Sequence, residues 1–68
     1  MTTIDARGLS CPEPVIMTRK ALKGGQNRYT VLVDNVASRE NVTRFAESQG
    51  FRVKLTEESG QYRLELSR

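Results

Sequence analysis

Hydrophobic residues recur with the spacing of a strand in some segments of the chain and with that of a helix in others. Residues 2–6 alternate around Ile4, residues 29–33 form a nearly continuous apolar run, and residues 51–56 and 62–67 alternate strictly. Strict alternation is typical of a half-buried strand, and a continuous run of β-branched residues favours a central one. The pattern predicts four strands, the last two joined as a hairpin by a turn at residues 57–60.

Two segments have helical spacing instead. Residues 12–23 carry apolar side chains three and four positions apart, and Gly24 and Gly25 follow as a stop signal. A face for burial is predicted there from Pro14, Val15, Met17, Thr18, Ala21 and Leu22. After a turn at residues 34–37, Ser38 is predicted to cap a second helix that ends at Gly50.

The predicted element order is therefore β-α-β-α-β-β. Because βαβ crossovers are right-handed, two of them running the same way place both helices on one face of the sheet. The predicted fold class is α/β, more specifically an α+β sandwich of two layers, one of helices and one of strands. The sequence shows no repeat and no linker, so a single domain over residues 1–68 is expected. Leu32 falls on the open face of this sheet. We expect it to lie there either in a small satellite cluster of apolar side chains or in a contact with another chain. Polar side chains share that face: Arg52, Lys54, Thr56, Arg63 and Glu65.

Composition narrows the range of functions. The 68 residues contain one cysteine and no histidine, which excludes an internal disulfide, a zinc site and a Cys-His hydrolase, and we expect no metal and no cofactor. Neither a signal peptide nor a membrane-length apolar run is present, so a cytoplasmic protein is expected. The net charge of +3 is dispersed, which favours a solvated surface over nucleic-acid recognition.

Cys11 is the leading candidate for chemistry, since it lies where an extended segment gives way to a helix. The positive end of a helix stabilises a thiolate and lowers its pKa. With Cys11 as N-cap, Pro12 and Pro14 occupy the first and third helical positions; alternatively the helix begins at Pro14 and Cys11 lies in the loop. In both cases Glu13 adds an opposing charge, so we expect a moderate depression of the thiol pKa.

The run Asp5-Ala6-Arg7-Gly8-Leu9-Ser10-Cys11-Pro12-Glu13-Pro14 resembles the signature of the TusA/SirA sulfur-carrier family, and the resemblance covers essentially the whole chain. The resemblance implies a mixed four-stranded sheet in the order 1-2-4-3 with both helices on one face. It also implies a sulfurtransferase-type function, in which Cys11 accepts sulfane sulfur as a persulfide from a cysteine desulfurase. An acceptor sulfur-relay protein then takes that sulfur.

The same resemblance assigns supporting roles to other residues of the motif. Pro12 and Pro14 shape the helix start with Glu13 between them, and Asp5 and Gly8 form the approach to the cysteine. Family members serve tRNA thiolation, molybdenum cofactor assembly and sulfur oxidation. The run from Val33 to Val42, with Phe45 and Gly50-Phe51, is most similar to the first domain of two-domain members associated with selenium metabolism.

Partner docking is predicted beside the cysteine. Ile16 projects away from the buried helix face, and Arg7, Arg19 and Lys20 would form a basic rim around it. Two other functions stay open from the residues alone: a non-catalytic regulatory or interaction domain, and a small RNA-binding module. With neither a resolving cysteine nor a histidine base, the domain would depend on other proteins to deliver and to remove sulfur.

Overall fold

A computed structural model describes residues 2–10 and 12–68 of the chain. Four strands and two helices follow in the predicted order: β1 (Thr2–Asp5), α1 (Glu13–Leu22), β2 (Arg28–Val33), α2 (Val36–Ser48), β3 (Arg52–Glu58) and β4 (Gln61–Ser67). The predicted elements are confirmed, with boundaries that shift by one to three residues.

The strands form one sheet in the order β1-β2-β4-β3. β1 pairs with β2 in parallel, placing Ile4 beside Val31, while β4 runs antiparallel to both of its neighbours. Leu64 at the middle of β4 stands between Val31 on one side and Leu55 on the other. The predicted mixed sheet with order 1-2-4-3 is confirmed.

The core lies between this sheet and the two helices. Core-facing residues of β2 and β4, among them Val31 and Leu64, are buried in one cluster with Val42 and Ala46 of α2, and Thr30 on the opposite face of β2 is buried as well. Pro14 and Thr18 are the most deeply buried residues of α1, and the other apolar side chains of its predicted face are half-buried. Thr18 satisfies its hydroxyl by donating to the carbonyl of Pro14 at 2.8 Å, so the buried polar group carries no penalty.

The cap of α2 corrects the sequence prediction. Asn35, not Ser38, is the N-cap, because its Oδ1 accepts a hydrogen bond from the Ser38 backbone N–H at 2.8 Å. At the other end Gly50 adopts φ +87°, and the N–H of Phe51 donates to the carbonyl of Ala46. This pairing is a Schellman motif, which turns the chain from α2 into β3.

The β3–β4 turn is tighter than the predicted four residues. Ser59 and Gly60 both have positive φ, as a two-residue type I′ turn requires, and Glu57 and Glu58 extend β3. The pairing of Glu58 with Gln61 closes the hairpin. β3 is therefore seven residues long.

The side of the sheet away from the helices is open. Arg52, Lys54 and Arg63 are exposed there, as predicted, whereas Thr56 and Glu65 are half-buried. Leu32 is half-buried on this face, in register between Asp5 of β1 and Arg63 of β4. Its directly opposite neighbours are thus charged, and the two expected environments of Leu32, a satellite cluster or a contact with another chain, stay predictions.

Candidate functional site

The loop between β1 and α1 is fastened to the neighbouring strand β2. The N–H of Ala6 donates to the Leu32 carbonyl at 2.9 Å, and the N–H of Gly8 donates to Oδ2 of Asp34 at 2.7 Å. Gly8 has φ +78°, a conformation that L side chains rarely adopt. Because β1 and β2 are parallel, their carboxyl ends meet at one edge, and the loop to Cys11 starts there.

Asp5 and Arg7 form a two-pronged ion pair at the same edge. Nε of Arg7 lies 2.9 Å from Oδ1 of Asp5, and Nη2 lies 2.8 Å from Oδ2. The Arg7 side chain, with help from its own backbone N–H, lowers the pKa of Asp5 to about 2. The carboxylate in turn raises the pKa of Arg7, which also donates to Gln61 at the start of β4.

The start of α1 matches neither register predicted from the sequence. Pro12 is the N-cap, and Glu13 and Pro14 are the first two helical residues. The first helical hydrogen bond runs from the Ile16 N–H to the Pro12 carbonyl at 3.0 Å, and the Glu13 N–H donates to the Ser10 carbonyl at 2.9 Å. Proline has no N–H to lose at either position, so both prolines are tolerated.

Cys11, the predicted sulfur-bearing residue, lies outside the described residues. The residues on each side of it are exposed, namely Ser10, Pro12 and Glu13. Pro14, the residue after Glu13, is fully buried and anchors the start of the helix in the core. The motif is thus fixed at Gly8 by a hydrogen bond and at Pro14 by packing.

The predicted docking residues separate into two places. Ile16, Arg19 and Lys20 follow one another at helical spacing along α1; Ile16 is half-buried and the two basic side chains are exposed. Arg7 instead pairs with Asp5 and Gln61 next to the sheet, where the carboxylate offsets its charge. Of the predicted rim, the α1 residues share one surface with the helix start.

Asp34 belongs to the candidate site, although the sequence analysis did not predict a role for it there. Its carboxylate holds Gly8 across 26 positions of sequence, and Oδ1 also accepts from the Asn35 side chain at 3.3 Å. A usable signal was present, since Asp34 directly follows a predicted central strand parallel to the one that leads to Cys11. Carboxyl ends of neighbouring parallel strands share an edge.

Residues 2–10 and 12–68 show neither a metal-binding cluster nor a membrane-spanning helix. No group of three or more acidic side chains within residues 2–10 and 12–68 is arranged to hold a metal ion. Within the same ranges, neither helix has the length and apolar character needed to cross a bilayer.

The sequence and the fold are similar to those of known proteins. The model of the family described as sulfurtransferase TusA matches residues 2–68, which is nearly the full length. The chain belongs to the TusA family.

Two relatives of this TusA-family chain illustrate the similarity. A protein of Methanocaldococcus jannaschii described as a "putative sulfur carrier protein" is 39% identical over 61 residues, covering 87% of this chain and 81% of the relative. The crystal structure of a SirA-like protein from Desulfitobacterium hafniense is 39% identical, with a TM-score of 0.89 over 98% of this chain and 96% of that one. Membership of this family supports a role in sulfur transfer.

Proposed function

We propose that this domain carries sulfane sulfur as a persulfide on Cys11, taking it from a cysteine desulfurase and passing it to an acceptor sulfur-relay protein. The observation that carries the proposal is the placement of the Cys-Pro-Glu-Pro motif in a TusA-family chain. The motif is anchored at Gly8 and Pro14, while the described residues next to the cysteine are exposed. An anchored, exposed segment suits a group that enters the active sites of other proteins.

The proposed chemistry is two successive exchanges at sulfur. The Cys11 thiolate attacks the outer sulfur of the donor's persulfide, a new S–S bond forms, and the donor cysteine leaves as a thiolate. An acceptor thiolate then attacks the outer sulfur on Cys11, and Cys11 leaves as a thiolate. Each exchange moves one sulfur atom without an added oxidant or reductant, and a moderately lowered thiol pKa serves both attack and departure.

Intact-mass measurement tests this proposal directly. After incubation with a cysteine desulfurase and cysteine, the protein should gain one sulfur atom, which a reducing agent removes. Cys11→Ser should gain none. The matched control is Cys11→Ser combined with Ser10→Cys, which keeps one thiol on the exposed segment but moves it by one position. We expect this control to react with iodoacetamide yet to accept sulfur poorly.

Two results would contradict the carrier proposal. One is wild-type protein that gains no sulfur from any desulfurase tested. The other is a Cys11→Ser variant that still supports the cellular pathway, as a non-catalytic interaction domain would. The RNA-binding alternative receives no support from the sheet, because Tyr29, Phe51 and Tyr62 pack on the core side and leave the open face without a stacking aromatic.

The partner docks, in this proposal, on Ile16, Arg19 and Lys20 beside the motif. Arg7 lies at the margin with its charge offset by Asp5. Reversing Arg19 and Lys20 together to glutamate should slow sulfur acceptance, and the wild-type rate should fall as salt is added. Arg63→Glu on the open face is the control and should leave the rate unchanged. Equal rates for all these proteins would contradict docking on α1.

A further inference from the structure

We infer that the outer edge of β3 pairs with β3 of a second copy of this chain, joining two sheets into one of eight strands. β3 is hydrogen-bonded to β4 on one side, and the strand order leaves its other side at the edge of the sheet. Seven residues of extended backbone are therefore available for pairing. Edge strands of this length are templates for a further strand unless side chains prevent it.

The side chains of β3 complement themselves when the second strand runs antiparallel. With Leu55 facing Leu55 on a two-fold axis, Arg52 faces Glu58 of the second copy, and Lys54 faces Thr56. All seven residues pair in this register, and no like charges stand directly opposite one another. Opposite charges in cross-strand positions stabilise a pair, whereas like charges oppose it.

Moving the two-fold axis by one residue in either direction makes the pairing of the two β3 strands less favourable. Centring the axis on Lys54 sets two lysines face to face. Centring it on Thr56 pairs Lys54 with Glu58 but leaves Arg52 and Val53 without strand partners, so that only five residues pair instead of seven. Repulsion between lysines disfavours the first shift and the smaller number of paired residues disfavours the second, so the side-chain pattern favours one register. The charged side chains that discourage pairing with an unrelated strand here favour pairing with a second copy of the same strand.

The helix side of the edge is also suited to a partner. Leu55 is 47% exposed although it lies on the core side of the sheet, because α2 leaves a groove along β3. The charged residues that line this groove are Arg39 and Arg44 together with Glu40 and Glu47, and Arg39 lies 3.5 Å from Glu40. In the favoured register Glu57 of the second copy stands opposite Val53 and therefore on this same side of the edge, along the groove.

The pairing keeps the proposed sulfur-carrying segments apart. A two-fold axis perpendicular to the sheet leaves the helices of both copies on one face, and β1 becomes the outer strand at each end. Seven strand spacings separate the two β1 strands, which is roughly 34 Å. Each copy can therefore meet its own partner protein, so the pairing does not depend on the proposed function.

Sedimentation and NMR of the full chain under reducing conditions test the inference. Such a small interface belongs to the weak class, so the average mass should rise as the concentration approaches the millimolar range. Amide shifts that change with concentration should map to residues 52–58. A wild-type protein that stays monomeric at these concentrations, or shift changes confined to other residues, would overturn the proposal.

A charge exchange gives the sharper test. Arg52→Glu and Glu58→Arg should each weaken dimerisation at least tenfold, because each puts like charges opposite one another. The double variant, with both exchanged, should recover the wild-type behaviour. Arg28→Glu, on the open face of β2, is the matched control for net charge and should dimerise normally. Failure of the double variant to recover, with its circular dichroism unchanged, would refute the register.

Discussion

Removing the Asp34 carboxylate should loosen the loop that leads to Cys11. The contact is short, with the Gly8 N–H 2.7 Å from Oδ2 of Asp34, and one partner is charged. Hydrogen bonds to charged groups contribute about 1.5–3 kcal/mol, and because Asp34 is exposed we take a lower value of about 1 kcal/mol. For a domain of this size such a loss corresponds to roughly 4–8 °C in Tm.

Urea unfolding and amide hydrogen exchange of Asp34→Ala measure this effect. The free energy of unfolding should fall by about 1 kcal/mol, and the Gly8 amide should exchange roughly fivefold faster than in wild type. Asp34→Asn is the matched control, because it keeps a carbonyl oxygen as acceptor and loses only the charge. Its losses should be smaller on both measurements.

The same variants separate local from global effects. The amide of Leu64 in the middle of β4 reports global unfolding, so its exchange should also speed up about fivefold, in step with the loss of overall stability, and any acceleration of the Gly8 amide beyond that factor is local. If Asp34→Ala leaves both the Gly8 exchange rate and the unfolding free energy at wild-type values, the hydrogen bond does not hold the loop and the reasoning fails. If Asp34→Asn loses as much as Asp34→Ala, the charge and not the acceptor is decisive.

Three further predictions concern the ion pair, the core and the hairpin. The pKa of the Asp5 carboxyl, measured by NMR titration, should be about 2 and should move toward 3.8 in Arg7→Ala. Because the pKa is lowered in the folded state, the stabilisation from the Asp5–Arg7 pair is present above pH 3.8 and is lost as the pH falls toward 2. Leu64→Ala, at a fully buried site in the central β4, should cost about 2–5 kcal/mol in urea unfolding and leave the domain largely unfolded at 37 °C. Gly60→Ala, at φ +79°, should cost about 1 kcal/mol in the same assay, and an unchanged midpoint would mean that the turn relaxes.

The strands were predictable because their signals are local. Alternation in residues 51–56 and 62–67 identifies each strand and its buried side without knowledge of the rest of the fold. The handedness of βαβ units then restricts where the helices lie. The order of the sheet itself came from the resemblance of the motif around Cys11 to a known family, and the structure confirms it.

Helix starts were less predictable, since several residues in a row can serve as a cap. Asn35 and Ser38 are both good N-cap residues, three positions apart. In the structure the Ser38 side chain is buried against the core. The backbone N–H of Ser38 is therefore capped by Asn35, the residue before the helix. Burial of a side chain is a tertiary property that propensity does not contain.

Contacts between distant parts of the chain were the least predictable. The Asp34–Gly8 hydrogen bond and the Arg7–Gln61 contact join residues 26 and 54 positions apart. Pattern analysis identifies elements, but these contacts depend on which strand ends meet in the folded sheet. Arg7 was expected at a basic rim and instead lies in an ion pair, a difference of side-chain direction that spacing along the chain does not determine.

The position of β4 has a consequence for the synthesis of this chain on the ribosome. β4 is the last strand in sequence but lies between β2 and β3, so it supplies two of the three strand interfaces. Before it emerges from the exit tunnel, β1 and β2 can meet only each other, and β3 has no neighbour. We therefore expect nascent chains that end before Gln61 to be degraded readily by proteases, and cooperative folding to begin only when translation has released Ser67.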